Sequence, residues 1–394
     1  MIAFKLILVL FLFVEEFMEK AGSLHAHKRH RLAAARTVLA AAVGFGGIAV
    51  AFAFGGEFPS KVPVPANNPM TPQKISLGKQ LFFDPRLSLT GDVSCETCHN
   101  VMGNGSDGLP LSFGVLGRVD TPRHAPSVFN AAFNTVQFWD GRADSLEAQA
   151  KGPILNHVEM GMPNAADLVK RLQEIPGYRD EFRKVFGDKD PITFDHVVQA
   201  IATYERTLVT PDSPYDRYVK GDKAALSSSA IEGMKTIRSF GCESCHAGPM
   251  FDNPGTPMGT GWFQKFPVQP HNPVCAKYVQ KYHLMDDPGR FDVTHKAADM
   301  HVFKVPSWRN VALEAPYFQN GSVRTLQTAV RVMAACQLGL TVTNKQVSDI
   351  VSFLDSLTGK FPKETMPTLP ETPNTTIMMN VSRLQKVAVE NEKK

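Results

Sequence analysis

The chain has 394 residues, 43% of them hydrophobic and 20% charged, an ordinary globular composition with apolar material for two or three folded domains. Its formal net charge is +4, but the first 54 residues hold six of the 42 bases and only three of the 38 acids. The body is therefore close to neutral, which leaves nucleic-acid binding without support.

The chain opens on an apolar run over residues 2–14, a basic cluster at Lys28–Arg31 and a second apolar run, Val38–Phe54, rich in Ala and Gly. A basic cluster, an apolar run and an Ala-x-Ala sequence (Ala49–Ala51 or Ala51–Ala53) read as a secretory signal. The alternative for residues 1–54 is a single-span anchor, since about 17 apolar residues sit at the short limit for crossing a bilayer. Either reading puts residues 60 onward on the far side of the membrane. A periplasmic protein is expected, free or held at the inner membrane.

Pro59–Pro72 reads as a linker, and Thr71–Phe83 as a short helix that delivers the chain to Cys95-Glu-Thr-Cys98-His99. A Gly-rich loop follows (Gly103, Gly105, Gly108, Gly114, Gly117) with no phosphate-binding spacing. Helical periodicity then covers Ser145–Lys151, Asn164–Ile175, Tyr178–Phe186 and Phe194–Leu208. Pro211 and Pro214 break the pattern, which places a domain boundary between Thr210 and Gly221. A helix over Ser227–Ser239 leads into Cys242-Glu-Ser-Cys245-His246. A long loop is expected from Gly248 to Arg309, then helices at Thr325–Gln337 and Thr343–Leu357. Helix, motif, loop and closing helices thus occur twice, a coarse duplication. The organisation expected is a leader (1–54), two domains (60–212 and 213–360) and an extended Pro-rich tail (361–394).

Both motifs read C-x-x-C-H, the attachment site of a c-type haem. Two thiols at this spacing add across the two vinyl groups of one porphyrin, and the adjacent histidine becomes an iron ligand. A zinc site or a thioredoxin-like pair needs no histidine directly after each pair of cysteines. Cys275 and Cys336 remain. They can join in a disulfide or stay as buried thiols; no spacing rule decides, and the reading adopted is ordinary structural cysteines.

The sixth position of each iron separates electron transfer from chemistry. A candidate in the second unit is Met333, on the helix well after the motif, although most methionines in cores are only packing.

Arg123-His-Ala-Pro126, Val128-Phe-Asn130, Phe138-Trp-Asp-Gly-Arg142, Gln149-Ala-Lys-Gly-Pro153, Val158-Glu-Met160 and Ala315-Pro-Tyr-Phe318 occur in that order. With the two haem motifs, they resemble the bacterial dihaem cytochrome c peroxidase family, which includes the MauG-type enzymes. The likeness runs from about Gln73 to Gly359. It implies a mostly α fold of two cytochrome c-type domains, each with one covalently bound haem, packed with the haems facing a shared interface.

By the same resemblance, the haem at Cys95, Cys98 and His99 is the peroxidatic one. The haem at Cys242, Cys245 and His246, with Met333 as second axial ligand, is the electron entry. Glu159 matches the carboxylate that moves protons on peroxide, Gln149 a second position in that pocket, and Trp139 the tryptophan between the haems. The implied partners are hydrogen peroxide and a small cytochrome c or cupredoxin donor. A homodimer and N-terminal membrane anchorage are compatible with the chain.

Three departures matter. The loop Ser112–Arg118 lacks the histidine that caps the peroxidatic iron in many members, so an iron open in the oxidised state is expected. His124 stands where an asparagine helps to bind calcium; the carbonyls of Lys304 and Pro306 remain, but a hard cation prefers oxygen, which puts calcium in doubt. Gln319 stands where a histidine is common, with no mechanistic account from sequence. The rival readings are a MauG-like oxidase of a protein or organic substrate, which carries tyrosine at the Met333 position, and a dihaem electron carrier or redox sensor. The carrier needs its first iron capped, for instance by His124 or His157.

Overall fold

A computed structural model describes residues 55–119 and 123–372, so the expected leader (1–54) and the end of the tail lie outside the described residues. In chain order the first half carries α1 (Pro72–Phe83), α2 (Cys95–Cys98), α3 (Leu146–Leu155), α4 (Ala165–Gln173), α5 (Pro176–Phe186) and α6 (Phe194–Glu205). The second carries α7 (Pro214–Val219), α8 (Ser228–Phe240), β1 (Phe263–Lys265), α9 (Pro273–Tyr282), α10 (Phe291–Thr294), β2 (Val302–Lys304), α11 (Leu326–Leu338) and α12 (Asn344–Asp355). Among the described residues, no helix is long and apolar enough to cross a membrane.

Local chemistry sets the helix ends. Thr71 accepts the Lys74 N–H ahead of α1, and Pro72 occupies the first turn, where no N–H is needed. Thr193, Ser227, Thr325 and Thr343 cap α6, α8, α11 and α12 in the same way. Leu77, Leu81 and Phe82 of α1 join Tyr204 and Ile201 of α6 in one buried core. Gly78 lets the two helices meet: a Cβ there would stand 1.9 Å from the Ala200 carbonyl oxygen. The second half repeats the device, with Gly233 of α8 against the Asp349 carbonyl of α12 at the same 1.9 Å. That pair roofs a second core around Phe251, Val332 and Phe353.

The duplication holds residue by residue beyond the helices. Asn130 and Asn310 are both left-handed (φ 64° each), and the side-chain amide of each donates to Thr210 Oγ1, at 2.7 and 2.8 Å. Phe138 and Phe318 share positive φ, and the bridges Gln137–Ala143 and Tyr317–Val323 match. At that constant offset the starts of α3 and α11 coincide, each behind a hydroxyl cap, Ser145 or Thr325. The register pairs His124 with Lys304, Trp139 with Gln319 and Pro153 with Met333.

Two expectations change. The segment read as a loop from Gly248 to Arg309 contains α9 and the antiparallel pair β1–β2, in which Phe263 faces Lys304. Asn272 caps α9 and Pro273 starts it, a local signal that weak apolar periodicity hides. Cys275 on α9 and Cys336 on α11 form a disulfide, correcting the reading of separate thiols. Their Cα atoms lie 4.8 Å apart because the two helices pack together, which a 61-residue separation in sequence does not reveal. The segment after α12 is extended and returns over the first half: Phe361 meets Phe129 edge-on at 4.7 Å, and Glu364 pairs with Lys79 at 2.7 Å.

Candidate functional site

Two large cavities flank a common wall. The first is lined by Cys95, Cys98 and His99 together with Gln149, Pro153 and Glu159. The second is lined by Cys242, Cys245 and His246 together with Met333 and Gln319. Trp139, His124 and Lys304 line both.

Each motif is held by backbone geometry. Ser94 and Thr97 cap α2 reciprocally, and Gly241, at φ 78°, turns the chain from α8 into the second motif. His99 Nδ1 lies 3.0 Å from the Pro126 carbonyl oxygen, and His246 Nδ1 lies 3.0 Å from that of Phe251. A carbonyl only accepts, so Nδ1 carries the proton in both rings and Nε2 is left as a lone-pair donor. Burial keeps both imidazoles neutral, pushing His246 down to about 4 and His99 below its ordinary value. His246 also stacks on Trp308 with ring centroids 4.3 Å apart.

These residues fit two c-type haems. Cys95, Cys98, Cys242 and Cys245 are all unpaired beside the cavities. Burial raises Cys95 and pushes Cys98 and Cys242 up to about 11, so these cysteines stand as reduced thiols at neutral pH.

Around the first cavity, Asn156 Nδ2 donates to Glu159 Oε1 at 2.8 Å and leaves Oε2 without that donor. Burial pushes the Glu159 carboxyl up, against the field of Arg142 and the Asn156 bond. The Ser112–Arg118 loop is pinned by Val115, which is fully buried and whose N–H donates to the Glu159 carbonyl at 2.8 Å. Gly114 permits this approach, since a Cβ would stand 1.8 Å from the Val158 oxygen. Of the two histidines offered as a cap for the first iron, His157 is exposed and is not part of the lining. His124 is buried, with ring Nδ1 2.7 Å from the Leu109 carbonyl and its backbone N–H donating to the Gln319 carbonyl at 2.6 Å.

At the candidate calcium position, His124 offers an imidazole rather than an oxygen. Lys304 takes part in β2 and sends its side chain into the wall, and Pro306 lines both cavities. Among the described residues, no cluster of His, Cys, Asp and Glu could hold a metal ion.

Sequence reasoning missed the Lys304 side chain and the acidic groups near it. Asp252 and Glu314 are pushed up by burial to about 6 and about 7, and Glu205, in the first cavity, to about 8. The repeat of Pro-Ser three residues before Asn (Pro126–Asn130 and Pro306–Asn310) was the signal that would have paired Lys304 with His124.

Comparison with known proteins agrees with this geometry. A family model described as "Di-haem cytochrome c peroxidase" matches residues 72–224. A cytochrome c551 peroxidase of Pseudomonas aeruginosa is 44% identical, over 81% of this chain and 88% of that one. A second, from Nitrosomonas europaea, is 40% identical over 82% and 92%. The crystal structure of a MauG-like protein associated with microbial copper homeostasis superposes with a TM-score of 0.66 at 29% identity, covering 78% of this chain and 96% of that one.

Proposed function

The chain belongs to the di-haem cytochrome c peroxidase family, carries two covalently bound c-type haems and reduces hydrogen peroxide with electrons from a cytochrome, and on that premise we propose how its residues divide the work. When bound, the haems supply the electron transfer and the two-electron reduction of the O–O bond.

Cys95, Cys98 and His99 hold one haem; Cys242, Cys245, His246 and Met333 hold the other. The observation that carries the assignment is an asymmetry of the repeat. Met333 of α11 lines the second cavity, while the equivalent position of α3 is Pro153, which has no atom able to ligate iron. The His99 site is thus open for peroxide without a preceding activation step, and the His246 site is closed for electron entry.

At the open site, Glu159 acts as base and then acid. Oε2 takes the proton from one peroxide oxygen and returns it to the oxygen that leaves, while Asn156 fixes Oε1. A carboxyl that burial raises above its ordinary value suits both roles, because it holds a proton more readily than an exposed carboxylate and can still release it. The Gln149 amide orients the substrate. Trp139, in the wall common to both cavities with Nε1 donating to the His124 carbonyl at 2.9 Å, shortens the gap that the electron crosses.

Residues 60–212 and 213–360 form the two haem domains, a division supported by the two separate cores. The donor is a small cytochrome c or a cupredoxin, and the protein works in the periplasm. The Cys275–Cys336 disulfide supports an oxidising compartment. Calcium has no part in this reading, because His124 supplies nitrogen and Lys304 places its own ammonium in the same wall. The MauG-like alternative is disfavoured by Met333, and the carrier by the positions of His124 and His157. The test is steady-state oxidation of a reduced small cytochrome c by peroxide. It is expected in the wild type and lost in Glu159→Gln with haem content unchanged; full activity in that variant contradicts the assignment.

A further inference from the structure

The wall between the cavities contains two nitrogen donors that no described group satisfies. Gln319 is only 2% exposed, and its Nε2 has no hydrogen-bond partner although it lines the second cavity. An orphaned buried amide is destabilising unless something accepts from it. Lys304 lines both cavities, and among the described residues its ammonium makes no hydrogen bond or ion pair. Burial lowers it, with Asp252 and Glu314 pulling the other way, and those two carboxyls are themselves held towards their neutral forms. The wall thus lacks a full counter-charge and an acceptor. Each haem brings two carboxylates.

The repeat explains how these two residues come to line the same cavity. His124 and Lys304 are equivalent, as are Trp139 and Gln319. The His124 N–H donates to the Gln319 carbonyl at 2.6 Å, and the Lys304 N–H donates to the Trp139 carbonyl at 2.8 Å. This reciprocal exchange locks both loops together and fixes the backbone beneath Lys304 and Gln319.

We propose that Lys304 and Gln319 form a carboxylate clamp at the junction of the two haems: Lys304 Nζ pairs with a propionate from each haem, and Gln319 Nε2 donates to a propionate of the haem at His246. Both are positioning residues. A cation beside a propionate favours the reduced haem, so Lys304 raises both reduction potentials, while Gln319 raises only that of the haem at His246.

The inference rests on the assignment of one haem to each cavity. That assignment is checked separately by counting haems per chain in Cys95→Ala and Cys242→Ala, which the clamp does not affect. The clamp is tested by spectroelectrochemical titration of the oxidised holoprotein, resolving both haems. Lys304→Met is expected to shift both equilibria about tenfold towards the oxidised form, 59 mV for a one-electron couple. Lys304→Arg retains the wild-type values. Gln319→Leu shifts only the haem at His246, by roughly threefold. Gln319→Leu removes an amide and no charge, so it gives a reading even if Lys304→Met does not accumulate. Unmoved potentials in Lys304→Met, or equal shifts of both haems in Gln319→Leu, overturn the proposal.

Discussion

Pro153 and Met333 occupy the same position in two copies of one helix, each eight residues beyond a hydroxyl cap, Ser145 or Thr325. A thioether on one copy and a pyrrolidine ring on the other make two otherwise similar cavities unequal. The first cavity is lined by Glu159 and Gln149, whereas Met333 lines the second, where a sulfur ligand is proposed.

Exchanging that position should exchange the behaviour. Pro153→Met supplies the first site with a sulfur atom at the register of Met333. The variant is expected to convert the high-spin ferric signal at His99 to low spin and to lower peroxide turnover at least about tenfold. Electron paramagnetic resonance and stopped-flow cyanide binding read the two effects. Persistence of a high-spin haem with wild-type turnover would mean that the two helices do not share a register in the holoprotein.

The proposed proton movement at Glu159 sets the size of the expected activity loss. Removing a general acid and base lowers the rate by roughly 10²–10⁴, so Glu159→Gln should lose kcat/KM for peroxide by that factor with both haem spectra intact. Asn156→Ala, which frees Oε1, should lose less. A Glu159→Gln enzyme within twofold of wild type removes the carboxylate from the mechanism.

Glu205 gives a stability prediction with a definite sign. Burial pushes its carboxyl up to about 8, with Arg206 opposing and Glu147 adding to the shift. The folded state therefore holds a proton that the unfolded state releases near its ordinary carboxylate value. The protein should lose stability as pH rises from about 4.5 to about 8. Glu205→Gln removes this loss: its Tm should exceed that of the wild type at pH 8 and match it at pH 4.5. Parallel Tm curves for the two proteins across this range exclude the buried carboxyl as the cause.

The Cys275–Cys336 bridge closes a long loop around the helix that carries Met333. Chain entropy predicts that Cys275→Ser with Cys336→Ser costs roughly 2–4 kcal/mol of stability. Denaturant unfolding of the oxidised holoprotein measures it. An unchanged midpoint would show that the bridge adds nothing to the packing of α9 on α11.

Much of the site was legible because covalent haem attachment imposes its own grammar. Cys95–His99 and Cys242–His246 declare the cofactor without any structure, and hydroxyl caps with apolar periodicity locate α1, α6, α8, α11 and α12 to within a few residues. What escaped depends on tertiary contact. Met333, which spacing alone did not separate from ordinary packing, was named only through the family resemblance, and the fold places it in the lining of the cavity that also contains His246. The side-chain roles proposed for Lys304 and Gln319 escaped for a related reason. Lys304, named only for its carbonyl, lies in a three-residue strand within a segment that lacks periodicity, and Gln319, marked only as a departure, shows its partnerless Nε2 once the fold buries it. The disulfide joins two helices that only the fold brings together.

The central claim is the inequality of the two irons, and electron paramagnetic resonance of the fully oxidised holoprotein at neutral pH tests it most directly. The account predicts a high-spin ferric signal from the haem at His99 beside a low-spin signal from the haem at His246 and Met333. Two low-spin signals would contradict it.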